Sequence, residues 1–307
     1  MINKNIGKKK VLFLTKFKYK DSQITKSALH EYIKEQGHEV YYADPGEINI
    51  ILKNESVNVF FNDIDISDVD IVISRNSRGV VEKVDQITKI LKLKGAVVFG
   101  HEEETPFSYR KFGNHFKLLK HFPKTIYFTK NNKDEALKLI EKAEISMPFI
   151  LKPEGSSRGV GVILVKDKKD YDAYFNSEQV KIFQDFIIQE YLDIKNEYRV
   201  FVLGKKSLGV CEKKGEGLIA KNLAQGSEFF YLRDENLESL AETLALELNH
   251  HTLGFDIVKT KNDELKLLEV NSWANFEGFG RASNINMPEK IFNYYLEFTE
   301  LTKSYKN

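Results

Sequence analysis

The chain has 307 residues, with 46 basic against 45 acidic side chains and a net charge of +1. That balance excludes a general polyanion binder, and the single Cys211 excludes a disulfide framework. No apolar run of secretory or membrane-spanning length follows the Lys-rich start, so a soluble, cytoplasmic protein is expected, with neither membrane nor nucleic acid as partner.

In chain order, "KKKVLFLTKF" reads as a buried strand, "SQITKSALHEYIKEQGHEV" as a helix ending near Gly37, and Val40–Tyr42 as a short strand. "VDIVISRN" is a further strand, "VVEKVDQITKILKLKG" a helix closing at Gly95, and "AVVFG" a strand. This alternation predicts a small parallel α/β unit. From His101 the pattern changes. Helices are expected over "SYRKFGNHFKLLKHF", "KDEALKLIEKAE" and "NLESLAETLALELN", with a last one beginning near Pro288. Strands are expected over "KTIYF", "PFILKP", "GVILVKD", "IIQEYL", "NEYRVFVLG", "KSLGVCEKK", "TLGFDIVKT" and "ELKLLEVN". The second part therefore reads as antiparallel α+β.

"FILKPEGSSRGVGVILV", residues 149–165, sets Gly155, Gly159 and Gly161 between two strands, with Lys152 before them and Arg158 among them. A Rossmann or Walker loop would lead into a helix. A strand-to-strand glycine loop is a hairpin tip, which can fold over phosphates and offer backbone N–H groups. Arginine is scarce, with seven against 39 lysines, and five of the seven (Arg75, Arg78, Arg158, Arg199, Arg281) fall in or beside loops of interest. Its planar fork suits carboxylate and phosphate. Arg199 could also pair simply with Glu190 or Glu212.

In "GFDIVKTKNDELKLLEVN", a turn centred on Asn262-Asp263 places Asp256 opposite Glu269, with Asn271 two residues on and on the same face. Opposed carboxylates in an apolar strand pair are costly without a cation between them. Two carboxylates and an amide oxygen suit a hard ion such as Mg²⁺. The alternative is a solvated pair at the strand ends with lysine partners.

Together these segments resemble the ATP-grasp superfamily, specifically RimK-like carboxylate–amine ligases with an ATP-binding domain like that of glutathione synthetase. The resemblance rests on "FILKPEGSSRGVGVILV", "IIQEYLDIKNEYRVFVLG" and "FDIV…LLEVNSWANFEGF", in that order. It implies a pre-ATP-grasp α/β domain over residues 1–105, a central lobe with a glycine-rich flap over 106–187, and a C-terminal lobe with a metal site over 188–307. It further implies that Lys111 and Lys152 contact ATP phosphates, with Lys117 the alternative to Lys111. The loop residues Gly155, Ser156, Ser157, Arg158, Gly159 and Gly161 would close over the phosphates. Gln189, Glu190, Tyr191 and Leu192 would hold the adenine, largely through backbone, and Glu197 the ribose. Asp256, Glu269 and Asn271 would bind one or two Mg²⁺, or Mn²⁺. Arg199, Lys213 and Asn222 are the catalytic candidates, and Lys214 a further phosphate contact.

Arg75, Arg78 and Trp273 are candidates for the organic substrates, with loops "TKFKYKDS" and "SRNSRG" beside them. The sequence departs from the family where Trp273, Ala274 and Asn275 follow the metal asparagine. It also departs where Ala220 and Lys221 precede Asn222, and where Gly254 stands two residues before Asp256. The implied activity is amide or peptide bond formation through an acyl phosphate, releasing ADP and phosphate. A small-molecule or peptide carboxylate and an amine acceptor are the implied partners, and a homo-oligomer is left open. A kinase on the same fold, or a nucleotide-binding protein without turnover, stays open as the alternative.

Overall fold

The computed structural model describes residues 7–15, 24–75, 80–101, 111–154, 156, 159–215, 228–272 and 274–305. It begins with β1 (Lys10–Thr15), α1 (Ile24–Glu35) and β2 (Glu39–Ala43). A meander follows: β3 (Asn49–Lys53), β4 (Ser56–Phe61) and β5 (Ile64–Asp65), then β6 (Ile71–Arg75), α2 (Val81–Leu93) and β7 (Val97–Phe99). Strands β2-β1-β6-β7 form one parallel sheet in that order. Gly37 and Gly95, at φ of +84° and +99°, turn the chain out of α1 and α2 in the left-handed region that glycine enters freely. The meander forms its own three-stranded antiparallel sheet. It was not expected from the sequence: β3 and β5 are largely exposed, and Val59 of β4 is the one fully buried residue of these strands, with Ile50 and Phe61 packed beside it.

The second part comprises α3 (Lys111–Lys117), β8 (Thr125–Thr129), α4 (Lys133–Lys138), β9 (Phe149–Pro153), β10 (Ile163–Val165), α5 (Lys168–Asn176) and β11 (Asp185–Glu190). These strands make an antiparallel sheet in the order β10-β9-β11-β8. Then come β12 (Ile194–Leu203), β13 (Lys206–Lys214), β14 (Glu228–Leu232), α6 (Glu235–Leu246), β15 (Thr252–Thr260), β16 (Leu265–Asn271), α7 (Glu277–Ser283) and α8 (Met287–Ser304). Here the sheet order is β14-β13-β12-β15-β16, again antiparallel. The expected succession of parallel and then antiparallel units is present. The expected long helix from Lys133 ends at Lys138, while α5, α7 and β14 were not foreseen. No described helix is long and apolar enough to cross a membrane.

The cores explain how the sheets are held. One core joins the parallel sheet (Val11, Phe13, Ile73, Phe99) to the C-terminal sheet (Phe201, Cys211) through α7 and α8 (Phe279, Phe292, Tyr295). The opposite face of the C-terminal sheet packs on α6 through Val200, Val202, Phe255, Leu267 and Val270. The β8–β11 sheet keeps a core of its own, built from Phe149, Leu151, Tyr171, Phe186 and Ile188.

Candidate functional site

Strand alternation fixes which side chains leave these cores. In β9 and β11, Phe149, Leu151, Phe186 and Ile188 point into the central core, so Lys152 and Gln189 stand on the other face. Lys152 Nζ donates to Gln189 Oε1 at 2.8 Å, and Gln189 Nε2 reaches Thr125 Oγ1 at 3.2 Å. Beyond β9, Ser156 Oγ donates to the Pro153 carbonyl at 3.1 Å. Gly159 and Gly161 have φ of +74° and +71°, and the Gly161 carbonyl accepts from Tyr174 Oη at 2.7 Å. A Cβ on Gly161 would lie 2.9 Å from Pro153 Cγ, so the hairpin arms close only around glycine.

The linker Tyr191–Asp193 passes from the central to the C-terminal sheet. Glu190 still belongs to β11: its N–H donates to the Lys124 carbonyl at 2.9 Å and its Oε1 accepts from Lys124 N at 2.8 Å. The Glu190 N–H and side chain are thus committed to Lys124, while Tyr191 and Leu192 lie beyond the ladder.

On β12, Tyr198, Val200 and Val202 face α6, which sends Glu197 and Arg199 to the opposite face, alongside Lys213 of β13 and Asp256 of β15. These four form one continuous chain, in which Glu197, Lys213 and Asp256 are buried and Arg199 is partly so. Arg199 grips Asp256 with two donors, Nε on Oδ1 and Nη2 on Oδ2, the latter at 2.7 Å. Lys213 Nζ lies 2.8 Å from Asp256 Oδ1 and 2.6 Å from Glu197 Oε1. Burial alone would push the Asp256 carboxyl up, but the charges of Arg199 and Lys213 outweigh it and hold the group at about 2. Arg199 therefore pairs with neither Glu190 nor Glu212. Lys214, next along β13, points the other way, 3.2 Å from Glu212 and over the Phe230 ring.

Asp256 does face Glu269, but by a route the sequence reading missed. The turn has three residues, with Thr260 N–H bonded to the Glu264 carbonyl at 2.9 Å and Asp263 at φ +61°. From there Ile257 pairs with Leu267, and a bulge at Leu268 then brings Asp256 opposite Glu269 and Gly254 opposite Asn271. Without that extra residue Glu269 would share the face of Leu267 and point into the core under α6. The argument from uncompensated repulsion also fails, because Arg199 and Lys213 already neutralise Asp256. Glu269 and Asn271 make no side-chain hydrogen bond or ion pair with any described residue, which leaves their oxygens open to a ligand. Among the described residues no three His, Cys, Asp or Glu side chains gather as a metal cluster. Asp256, Glu269 and Asn271 are nonetheless hard oxygen donors on one face, and that chemistry fits Mg²⁺.

Other candidates are placed more simply. Arg75 ends β6 beside Thr15, and burial lowers its guanidinium pKa, with Tyr295 and Tyr42 offsetting part of the effect. Lys117 is exposed at the end of α3. A Cβ on Gly254 would meet Ala274 Cβ at 2.4 Å, so a side chain there would force Ala274 aside, and Arg199 Cδ lies 3.3 Å away on the same face. Asn275 Oδ1 accepts from Glu277 N at 3.0 Å, an Asx turn that leads into α7. Arg78, Gly155, Ser157, Arg158, Asn222, Trp273, the Lys111 side chain, and residues 16–22 and 76–79 of "TKFKYKDS" and "SRNSRG" lie outside the described residues.

Sequence reasoning missed Glu154, Asn114 and His115, all buried polar residues beside this site. Glu154 carried a signal, since it lies two residues beyond Lys152 on the same strand face.

Known proteins resemble the chain in sequence and in fold. The family described as RimK-like ATP-grasp domain matches residues 115–295. A probable alpha-L-glutamate ligase of Legionella pneumophila (strain Corby) is 25% identical over 151 residues, 48% of this chain and 49% of the relative. The coenzyme gamma-F420-2:alpha-L-glutamate ligase of Methanocaldococcus jannaschii is 30% identical over 164 residues, 52% of this chain and 55% of the relative. The chain thus spans about half the length of the curated relatives it matches. A structure of the ATP-grasp ligase PsnB complexed with minimal precursor superposes with a TM-score of 0.64 at 15% identity, covering 96% of this chain and 100% of that one, a likeness of fold. With the family match extending over more than half of its length, the chain belongs to the RimK-like ATP-grasp family.

Proposed function

We propose that the chain is an ATP-dependent carboxylate–amine ligase that forms an amide or peptide bond and releases ADP and phosphate. The observation that supports this most is the buried face of Glu197, Arg199, Lys213 and Asp256 beside the open oxygens of Glu269 and Asn271. On this reading Lys152 and the hairpin of Ser156, Gly159 and Gly161 hold the ATP phosphates. Tyr191 and Leu192 take the adenine edge, and Glu197 the ribose. Asp256, Glu269 and Asn271 would hold Mg²⁺, which when bound would supply charge neutralisation at the phosphates.

A carboxylate oxygen of the substrate attacks the γ-phosphorus, the bond to the ADP oxygen breaks, and an acyl phosphate forms. The amine nitrogen then attacks the acyl carbon, the carbon–oxygen bond to phosphate breaks, and the nitrogen sheds a proton. Arg199 and Lys213 stabilise the negative charge that migrates through both steps, and no protein nucleophile is required. Because relatives are named alpha-L-glutamate ligases, L-glutamate is the first amine to try. Residues up to about 105 form the substrate-side α/β unit, with the two lobes divided near the Tyr191–Asp193 linker.

The test is ADP release with carboxylic acids and L-glutamate, singly and in pairs, with products read by mass spectrometry. ADP release that requires a carboxylate, rises with an amine and yields an amide is the expected result. A phosphorylated alcohol as sole product would replace the ligase reading by the kinase one.

A further inference from the structure

Helix α3 lies between the two sheets and is bonded to both. At its start the Phe112 N–H donates to Glu154 Oε1 at 3.1 Å, and Glu154 stands at the base of the glycine-rich hairpin. The Glu154 backbone is itself fixed, its N–H donating to the Asp185 carbonyl at 2.9 Å. A carboxylate there satisfies one of the amides that the first turn leaves open, and its charge suits the positive end of the helix. Two residues on, Asn114 Nδ2 donates to the Val270 carbonyl at 3.4 Å. Val270 separates Glu269 from Asn271, and its own side chain points into the core under α6.

Two further contacts keep α3 from sliding. Tyr127 Oη and His115 Nδ1 lie 2.9 Å apart, and Leu118 and Phe122, just past the helix, are buried in the same core as Val270. Glu154, Asn114 and His115 are 7%, 6% and 5% exposed. Burying three polar side chains is costly unless their bonds are kept, so these contacts specify one arrangement.

We propose that α3 is a strut that sets the spacing between the hairpin base and the metal strand, with Glu154 and Asn114 as its two positioning residues. The inference rests on the ATP and Mg²⁺ reading above and deepens it: neither residue touches nucleotide, and both act by placing groups that do. Loosening either end lets the phosphate-covering hairpin and the Glu269–Asn271 strand move independently. The tightening of nucleotide binding by Mg²⁺, which needs both at once, is then lost.

The experiment is calorimetric titration of ADP with and without Mg²⁺, on wild type, Glu154→Ala, Asn114→Ala, the double variant and Glu154→Gln. Glu154→Gln keeps an oxygen acceptor for the Phe112 N–H. In wild type Mg²⁺ raises ADP affinity, and each alanine variant lowers that gain by about tenfold while metal-free ADP affinity holds. The double variant falls no further, because both ends load one element, and Glu154→Gln stays near wild type. Should Glu154→Ala not fold, Asn114→Asp, which sets a carboxylate against the Val270 carbonyl, must lower the gain as well. Losses that multiply in the double variant, or that are equal with and without Mg²⁺, overturn the strut. Absence of ADP binding by folded wild type overturns the nucleotide reading itself, and the strut with it.

Discussion

On the β8–β11 sheet the buried Lys152 ammonium meets the neutral oxygen of Gln189, whereas on the C-terminal sheet Asp256 is enclosed by two cations that also hold Glu197. The first contact is a hydrogen bond to a neutral oxygen, which an anionic phosphate would outcompete for the ammonium. The second is a chain of four charges in which moving any member disturbs the others. Both faces are polar and both border the same linker, and on the C-terminal one two cations and two carboxylates neutralise one another. Polar residues of similar burial can therefore be either poised or locked, and the partner's charge decides which.

The largest expected effect lies within the locked face. Asp256→Asn leaves Arg199 and Lys213 as buried cations without their shared anion, and unfolding free energy should fall by about 3–5 kcal/mol in urea denaturation. Glu269, on the facing strand, has no such bonds, and Glu269→Gln should change apo stability by less than about 1 kcal/mol while abolishing the Mg²⁺ effect on ADP affinity. Equal destabilisation by the two substitutions would show that the two carboxylates share one network. Second in size is Lys152→Met. The substitution removes the bond to Gln189, and ADP affinity should drop roughly tenfold or more, as for a lost hydrogen bond to a charged group. A variant that binds ADP as wild type does would remove Lys152 from the nucleotide site.

How much of this was legible follows from what each signal depends on. The parallel unit and the eight antiparallel strands named in the sequence reading were visible, because buried strands carry continuous apolar runs and their breaks carry Gly, Asn or Asp. The facing of Asp256 and Glu269 was found, although through a turn one residue too short. The bulge at Leu268 supplied the missing residue, and nothing in "LKLLEVN" marks it. Which cation would meet Asp256 was not legible either. Alternation puts Arg199, Lys213 and Asp256 on one face only once the strand order β13-β12-β15 is known. Pairings between residues 57 positions apart, as for Arg199 and Asp256, belong to topology and not to local pattern.

A smaller effect separates the parallel unit from both antiparallel faces. His38 Nδ1 accepts from Lys9 N at 3.1 Å, and its ring packs edge-on against Phe292 of α8. Burial first, and the Lys9 charge second, lower its pKa from 6.5, with Asp70 opposing. The folded state thus prefers neutral His38 while the unfolded chain protonates near 6.5. Stability from this site is complete above 6.5 and is lost as pH falls through the lower, folded value. Urea midpoints should decline from pH 7.5 to 5.5, and His38→Asn should flatten part of that slope. A slope unchanged in the variant would assign it to other groups, such as the similarly lowered His30.

The smallest expected signal reports on the boundary between the locked polar face and the core beneath it. Cys211 pairs in register with Arg199 and lies two residues from Lys213, on the same face, but it belongs to the core that joins the parallel and C-terminal sheets. Burial pushes its thiol up to about 12, and the nearby Arg199 lowers it only in part. A thiol in that state has almost no thiolate at pH 8 and no access to reagent. Labelling by a chromogenic disulfide should therefore wait for opening of the structure, and run roughly a thousandfold or more slower than in urea. Since opening must separate the C-terminal sheet from α7 and α8, Asp256→Asn should speed labelling far more than Lys152→Met. Rapid labelling of the native wild type would mean that the charged end of the sheet opens without the core. The chain of Arg199, Asp256, Lys213 and Glu197 would then be a poised face, like that of Lys152, and not a locked one.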